Sequence, residues 1–117
     1  MEPLELATLI ARTLDDKKGI DIKLLQVGDL TVLAEYFVVV SGTSNTHVGS
    51  LADEVEYKLS EAGVEPLRTE GAKTREWVLL DYGSVVVHLF YPEARNFYSL
   101  ERLWADAQPV ELPFLTE

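Results

Sequence analysis

The chain has 117 residues, 20 acidic and 10 basic, giving a net charge of −10. That balance argues against broad contact with nucleic acid, whose binding draws its affinity from Lys and Arg displacing counterions around phosphates. It also holds no cysteine, so disulfides, thiolate metal sites and a cysteine nucleophile are excluded.

The length suits one domain, able to bury about two-thirds of the surface its unfolded chain exposes. The start, Met1-Glu2-Pro3-Leu4-Glu5, is acidic, unlike a secretory or transit segment. The apolar runs fall short of the ~20 residues of a membrane helix. The chain reads as soluble and cytoplasmic, with no membrane contact. Its acidic surface serves solubility, or attraction to a basic protein.

In chain order, residues 3–17 predict a helix, with Leu4, Ala7, Ala11 and Leu14 on one stripe, Pro3 in its first turn and Gly19 as its stop. Residues 21–27 predict a strand with Ile22 and Leu24 on one face, and residues 30–35 a short connector. Residues 36–41 are a continuous β-branched and aromatic run, the pattern of a central strand buried on both faces. Ser44 or Asn45 caps a following helix carrying Val48, Leu51, Ala52, Val55 and Leu59, which Gly63 ends. Residues 64–70 predict a weaker strand with Pro66 at an edge or start, and 71–75 a polar loop. Residues 76–81 and 84–91 predict strong strands around Tyr82-Gly83, read as a two-residue hairpin loop. Pro92 opens a short helix through Arg95 and Phe97, and residues 100–104 add a turn. The domain spans 1–104, and residues 105–117, with Pro109 and Pro113, form an extended or mobile tail. The fold class is α/β: a single domain with a mixed five-stranded sheet and packed helices.

The hairpin separates core from site. With Tyr82-Gly83 as the loop, Asp81 pairs with Ser84, Leu79 with Val86 and Trp77 with His88. Alternation then puts Val78, Leu80, Val85, Val87 and Leu89 on one apolar face, the core. The other face holds Trp77, Leu79, Asp81, Val86, His88 and Phe90, with Tyr82 at the turn. Two readings stand side by side: a second, partly covered packing face with His88 a satisfied neighbour of Trp77, or a binding face of aromatic anchors beside a few polar groups. Tyr98 and Trp104 are weaker candidates, since aromatics in a terminal helix more often pack than bind.

Catalytic signals are sparse. The two histidines, His47 and His88, fall on different elements, and no His-Glu-x-x-His, Gly-x-Ser-x-Gly or phosphate-loop spacing occurs. The segment Ser41-Gly42-Thr43-Ser44-Asn45 follows a buried strand and opens a helix, so its amides suit either a phosphate or a plain capped turn.

Three stretches carry a family resemblance: Ala34-Glu35-Tyr36-Phe37-Val38-Val39-Val40-Ser41-Gly42-Thr43-Ser44-Asn45 with His47-Val48 and Ala52-Asp53-Glu54-Val55; Glu76-Trp77-Val78-Leu79-Leu80-Asp81-Tyr82-Gly83 with Val85-Val86-Val87-His88-Leu89-Phe90; and Arg95-Asn96-Phe97-Tyr98-Ser99-Leu100-Glu101-Arg102-Leu103-Trp104. In order and spacing they resemble the signatures of the ribosomal silencing factor (RsfS or Iojap) family. The resemblance implies a nucleotidyltransferase-like fold and docking on the large ribosomal subunit through its protein number fourteen. It further implies hindered joining of the small subunit and repressed translation under nutrient limitation, with no cofactor and no catalysis. Contact would be mainly with protein and little with RNA; a homodimer off the ribosome is compatible with it. Trp77, Leu79, Asp81, Tyr82, His88 and Phe90 are the expected docking residues. The alternative is a nucleotidyltransferase-fold enzyme or nucleotide-binding protein using the 41–45 turn. Two departures count against it: Gly42-Thr43 stands where such enzymes have Gly-Ser, and residues 64–70 lack the acidic pair that holds two metals. The adjacent Asp53 and Glu54 point about 100° apart on a helix and cannot form that clamp.

Overall fold

The computed structural model describes residues 1–98, 102 and 104–115. Among the described residues, helices α1 (Pro3–Asp16), α2 (Asn45–Glu61) and α3 (Pro92–Tyr98) accompany six strands: β1 (Ile20–Gln26), β2 (Tyr36–Ser41), β3 (Arg68–Glu70), β4 (Trp77–Asp81), β5 (Val85–Phe90) and β6 (Gln108–Val110). The strands form one mixed sheet in the order β3-β4-β5-β2-β1-β6. Only β2 and β5 run parallel; every other neighbouring pair is antiparallel.

The sheet therefore has six strands where five are expected. The sixth, β6, comes from the segment set apart as a tail and pairs with β1, Leu24 opposite Val110 and Gln26 opposite Gln108. Pro109 is compatible with pairing because β6 is an edge strand, where one side of the backbone needs no ladder donor. Beyond β6, Leu112 is buried in the main core and the Arg12 guanidinium lies 4.8 Å above the Phe114 ring, tying this segment across α1.

The main core lies between the sheet and helices α1 and α2. Leu6, Ala7, Ile10, Ala11 and Leu14 from α1 meet Val48, Leu51, Ala52, Val55 and Leu59 from α2 over Val38, Val40, Val78, Leu80, Val85, Val87 and Leu89. The α1 stripe runs through Leu6 and Ile10; Leu4, expected on it, is exposed. Ser44 caps α2, its hydroxyl accepting the His47 N–H at 3.1 Å. β3 is shorter than the expected strand. Val64 N–H still serves the end of α2 by donating to the Leu59 carbonyl, and Pro66 has no N–H; pairing begins only where Leu67 N–H reaches the Asp81 carbonyl at 2.7 Å.

A smaller core covers the opposite sheet face. Leu25, Val27, Phe37, Val39, Val86 and Phe90 pack there beneath Ala94, Trp104 and Ala107. Central strand β2 thus contributes to both cores, as its unbroken apolar run predicts.

Candidate functional site

The hairpin of β4 and β5 turns at Gly83-Ser84, not Tyr82-Gly83. Tyr82 N–H donates to the Val85 carbonyl at 2.9 Å, and Gly83 takes φ +86°, the left-handed conformation glycine reaches most easily. The register moves by two residues: Trp77 lies opposite Phe90, Leu79 opposite His88 and Asp81 opposite Val86. A shift of two preserves the faces, because side chains alternate with period two. Val78, Leu80, Val85, Val87 and Leu89 all point into the main core.

Of the six expected docking residues, five share the opposite face. Trp77, Leu79 and Asp81 are half-buried; His88 and Phe90 are buried, so that face is no open surface along its whole length. Phe90 stacks beneath Trp77 with ring centroids 5.1 Å apart, and Phe37 sets an edge against His88 at 4.7 Å. Trp104 closes the row at 5.2 Å from Phe37. The Trp77 indole N–H donates to His88 Nδ1 at 3.1 Å, and burial lowers the His88 pKa to about 4. Asp81 turns inward on the fold: one carboxylate oxygen accepts the Gly83 N–H at 2.8 Å, and the other lies 3.4 Å from Arg68 Nε.

Tyr82 belongs to the other face. One residue past Asp81, it points toward α2 and is buried in the main core, where its hydroxyl has no hydrogen-bond partner among the described residues. Burial, then the nearby Glu56 and Glu65 carboxylates, push its phenol above the ordinary range. Tyr98, a weaker candidate, ends α3, and most of the expected turn over 100–104 lies outside the described residues.

The open part of the face is a shallow hollow lined by Glu70, Gly71, Thr74, Glu76, Trp77 and Leu79. Its lining includes the Trp77 and Leu79 side chains and those of Glu70 and Glu76, of which Glu70 lies 3.3 Å from Arg68 Nη1. Gly71 shapes the wall: at φ +81° any Cβ there would overlap the Trp77 carbonyl oxygen.

The 41–45 turn is engaged by its own neighbours. Thr43 N–H donates to His47 Nδ1 at 2.9 Å, and His47 Nε2 lies 2.9 Å from the Lys17 carbonyl, so the imidazole ties the α2 start to the α1 end. Asp53 is exposed and Glu54 lies 4.0 Å from Lys17 Nζ. Two features escaped the sequence reading. Buried Arg95 donates to Ser41 Oγ at 2.9 Å and lies 3.4 Å from Asp21, pinning α3 to the ends of β2 and β1. The 30–35 connector leaves Val32 and Leu33 exposed, and Leu67 stands exposed beside Gly83. Apolar residues inside a connector were the available signal for the second; a single Arg in a helical turn gave none for the first.

These features define the class: a small α/β domain with a mixed sheet, helices α1 and α2 packed on one face and a half-open aromatic hollow on the other. Within that class the chain belongs to the ribosomal silencing factor family, whose model, described as ribosomal silencing factor during starvation, matches residues 1–117. It is 43% identical over 109 residues to a ribosomal silencing factor of Chromobacterium violaceum, covering 93% of this chain and 89% of that one. A crystal structure of a protein from the same organism superposes with a TM-score of 0.87 at 44% identity, covering 90% of this chain and 88% of the other. A mouse protein named for mitochondrial assembly of the ribosomal large subunit is 33% identical over 99 residues, 82% of this chain and 43% of that protein. Family membership makes the chain a ribosome-associated regulator of translation, and its relatives are named as regulatory factors, not as enzymes. No helix among the described residues is long and apolar enough to cross a membrane.

Proposed function

We propose that the chain docks on the large ribosomal subunit, through protein number fourteen of that subunit, and hinders joining of the small subunit, lowering translation when nutrients run short. It acts by occupying a surface, without catalysis, in the cytoplasm. The observation that carries this reading is Trp77. Its neighbours Phe90 and His88 are buried, yet the indole stays half-open over a hollow edged by Glu70 and Glu76. Large aromatics at the centre of a desolvated patch are the usual anchors of protein interfaces. Glu76 beside the hollow and the net charge of −10 suit a basic ribosomal protein, and the mouse relative's name points to the large subunit. Leu79 shares the hollow with Trp77, Phe90 and His88 support it from below, and Asp81 keeps the hairpin in shape.

The family resemblance also carries a nucleotidyltransferase-like reading of the fold. A nucleotide-binding role for the 41–45 turn is disfavoured by geometry, since His47 Nδ1 and Ser44 Oγ already take the Thr43 and His47 amides. The test is kinetic. Mixing purified large subunits with this protein before adding small subunits should slow subunit joining, read by light scattering. Unchanged joining at saturating protein would refute the proposed action.

A further inference from the structure

His88 sits under the docking hollow, and its two ring nitrogens meet different fates. Nδ1 accepts the Trp77 indole N–H at 3.1 Å, which places the ring's own proton on Nε2. Nε2 is buried and has no hydrogen-bond partner among the described residues. A buried unmatched donor is unfavourable, and a phenylalanine would fill the same space between Phe37 and Phe90 without it. The imidazole therefore needs a role that outweighs this cost, and the Trp77 bond is the contact that supplies one.

Ring stacking on Phe90 holds the plane of the indole but does not choose which edge faces inward. The hydrogen bond does, because turning the ring over carries Nε1 away from His88. Behind it, Gly71 lies so close to the Trp77 backbone that a Cβ there would overlap the Trp77 carbonyl oxygen.

We propose that His88 is a positioning residue for docking, a reading that rests on the docking function above. It selects one orientation of Trp77 and engages the indole N–H, so the partner meets Trp77 as carbon surface and must bring an apolar side chain to it, not a hydrogen-bond acceptor.

The test compares His88→Phe with His88→Asn in the full chain, Asn offering an acceptor oxygen near the place of Nδ1. Two quantities are read: the Trp77 indole N–H resonance in 15N-labelled protein, and the Kd for purified large ribosomal subunits. His88→Phe should fold, shift the indole resonance and weaken binding about tenfold, the scale of one lost hydrogen bond. His88→Asn should restore both. If His88→Phe does not fold, His88→Asn decides alone: a wild-type indole resonance with retained affinity supports the role, and the same resonance with lost affinity overturns it. A folded His88→Phe that binds like wild type, or leaves the indole resonance unmoved, also overturns it. Trp77→Ala separates the two levels. If it binds normally, the assigned docking face fails and this inference with it; if it loses binding while folded His88→Phe keeps it, only this inference fails.

Discussion

His88 makes folding sensitive to acidity. Burial holds its pKa at about 4, against 6.5 for an unburied imidazole. Below pH 6.5 the unfolded chain takes up a proton that the folded chain refuses until about pH 4. The neutral imidazole's contribution is thus whole above pH 6.5 and lost as the pH falls between those values, by about 3 kcal/mol in all. We expect denaturant titrations to show wild type losing about that much stability relative to His88→Asn between pH 7 and pH 4. Carboxylates titrate alike in both proteins and cancel; parallel stability curves would remove His88 as the cause. At the same scale, Leu80 and Trp77 should part company. Leu80 is 1% exposed in the main core, so Leu80→Ala should cost ~2–5 kcal/mol of unfolding free energy. Trp77 is half-open, so Trp77→Ala should keep a cooperative melt and weaken subunit binding, by about thirtyfold if the indole is an interface anchor. A Trp77→Ala protein that unfolds while Leu80→Ala stays folded would reverse that division of roles.

At the scale of elements, the C-terminal strand and the hairpin carry the risk. Ending the chain after Asp106 removes β6 and the buried Leu112, and exposes the β1 edge. The loss of Leu112 burial alone is worth about 1.5–3 kcal/mol, so the truncated protein should melt at a clearly lower denaturant midpoint. An unchanged midpoint would mean that β6 adds nothing to the sheet. Gly83→Ala should cost about 1–2 kcal/mol from its φ of +86° alone, since the added Cβ meets Leu67 only at ordinary contact distance, 3.5 Å.

These two elements also mark where the sequence stops being legible. Helices α1 and α2 and strand β2 announce themselves through repeated apolar spacing, a capping serine and an unbroken β-branched run, all of them local signals. β6 has none: three residues containing a proline make a strand only because β1 offers an edge, and edge pairing is a tertiary event. The hairpin faces were legible from alternation, while the register was not, because Tyr82-Gly83 and Gly83-Ser84 both fit a two-residue loop with glycine. Read as a loop residue, Tyr82 falls with the docking residues; paired with Val85, its parity assigns it to the α2 side. Trp77, Leu79 and His88 were legible as one face. That Phe90 lies beneath a surface, and not on it, depends in part on Trp104 and Ala107, far along the chain.

For the molecule as a whole, the acidity and the proposed docking face point the same way. With 20 acidic and 10 basic residues, tight phosphate contact is unfavourable, so affinity for the large subunit should come mainly from protein. A steep fall of log Kobs with log salt, at about −0.7 to −0.9 per phosphate, together with tight binding to bare ribosomal RNA, would contradict that account. The most direct measurement is cosedimentation of the wild-type chain and Trp77→Ala with separately purified large and small ribosomal subunits. Wild type should pellet with large subunits and not with small ones, and Trp77→Ala, folded by its melt, should stay in the supernatant. Wild type pelleting equally with both subunits, or with neither, would contradict the proposed function, and folded Trp77→Ala pelleting like wild type would contradict the assigned docking face.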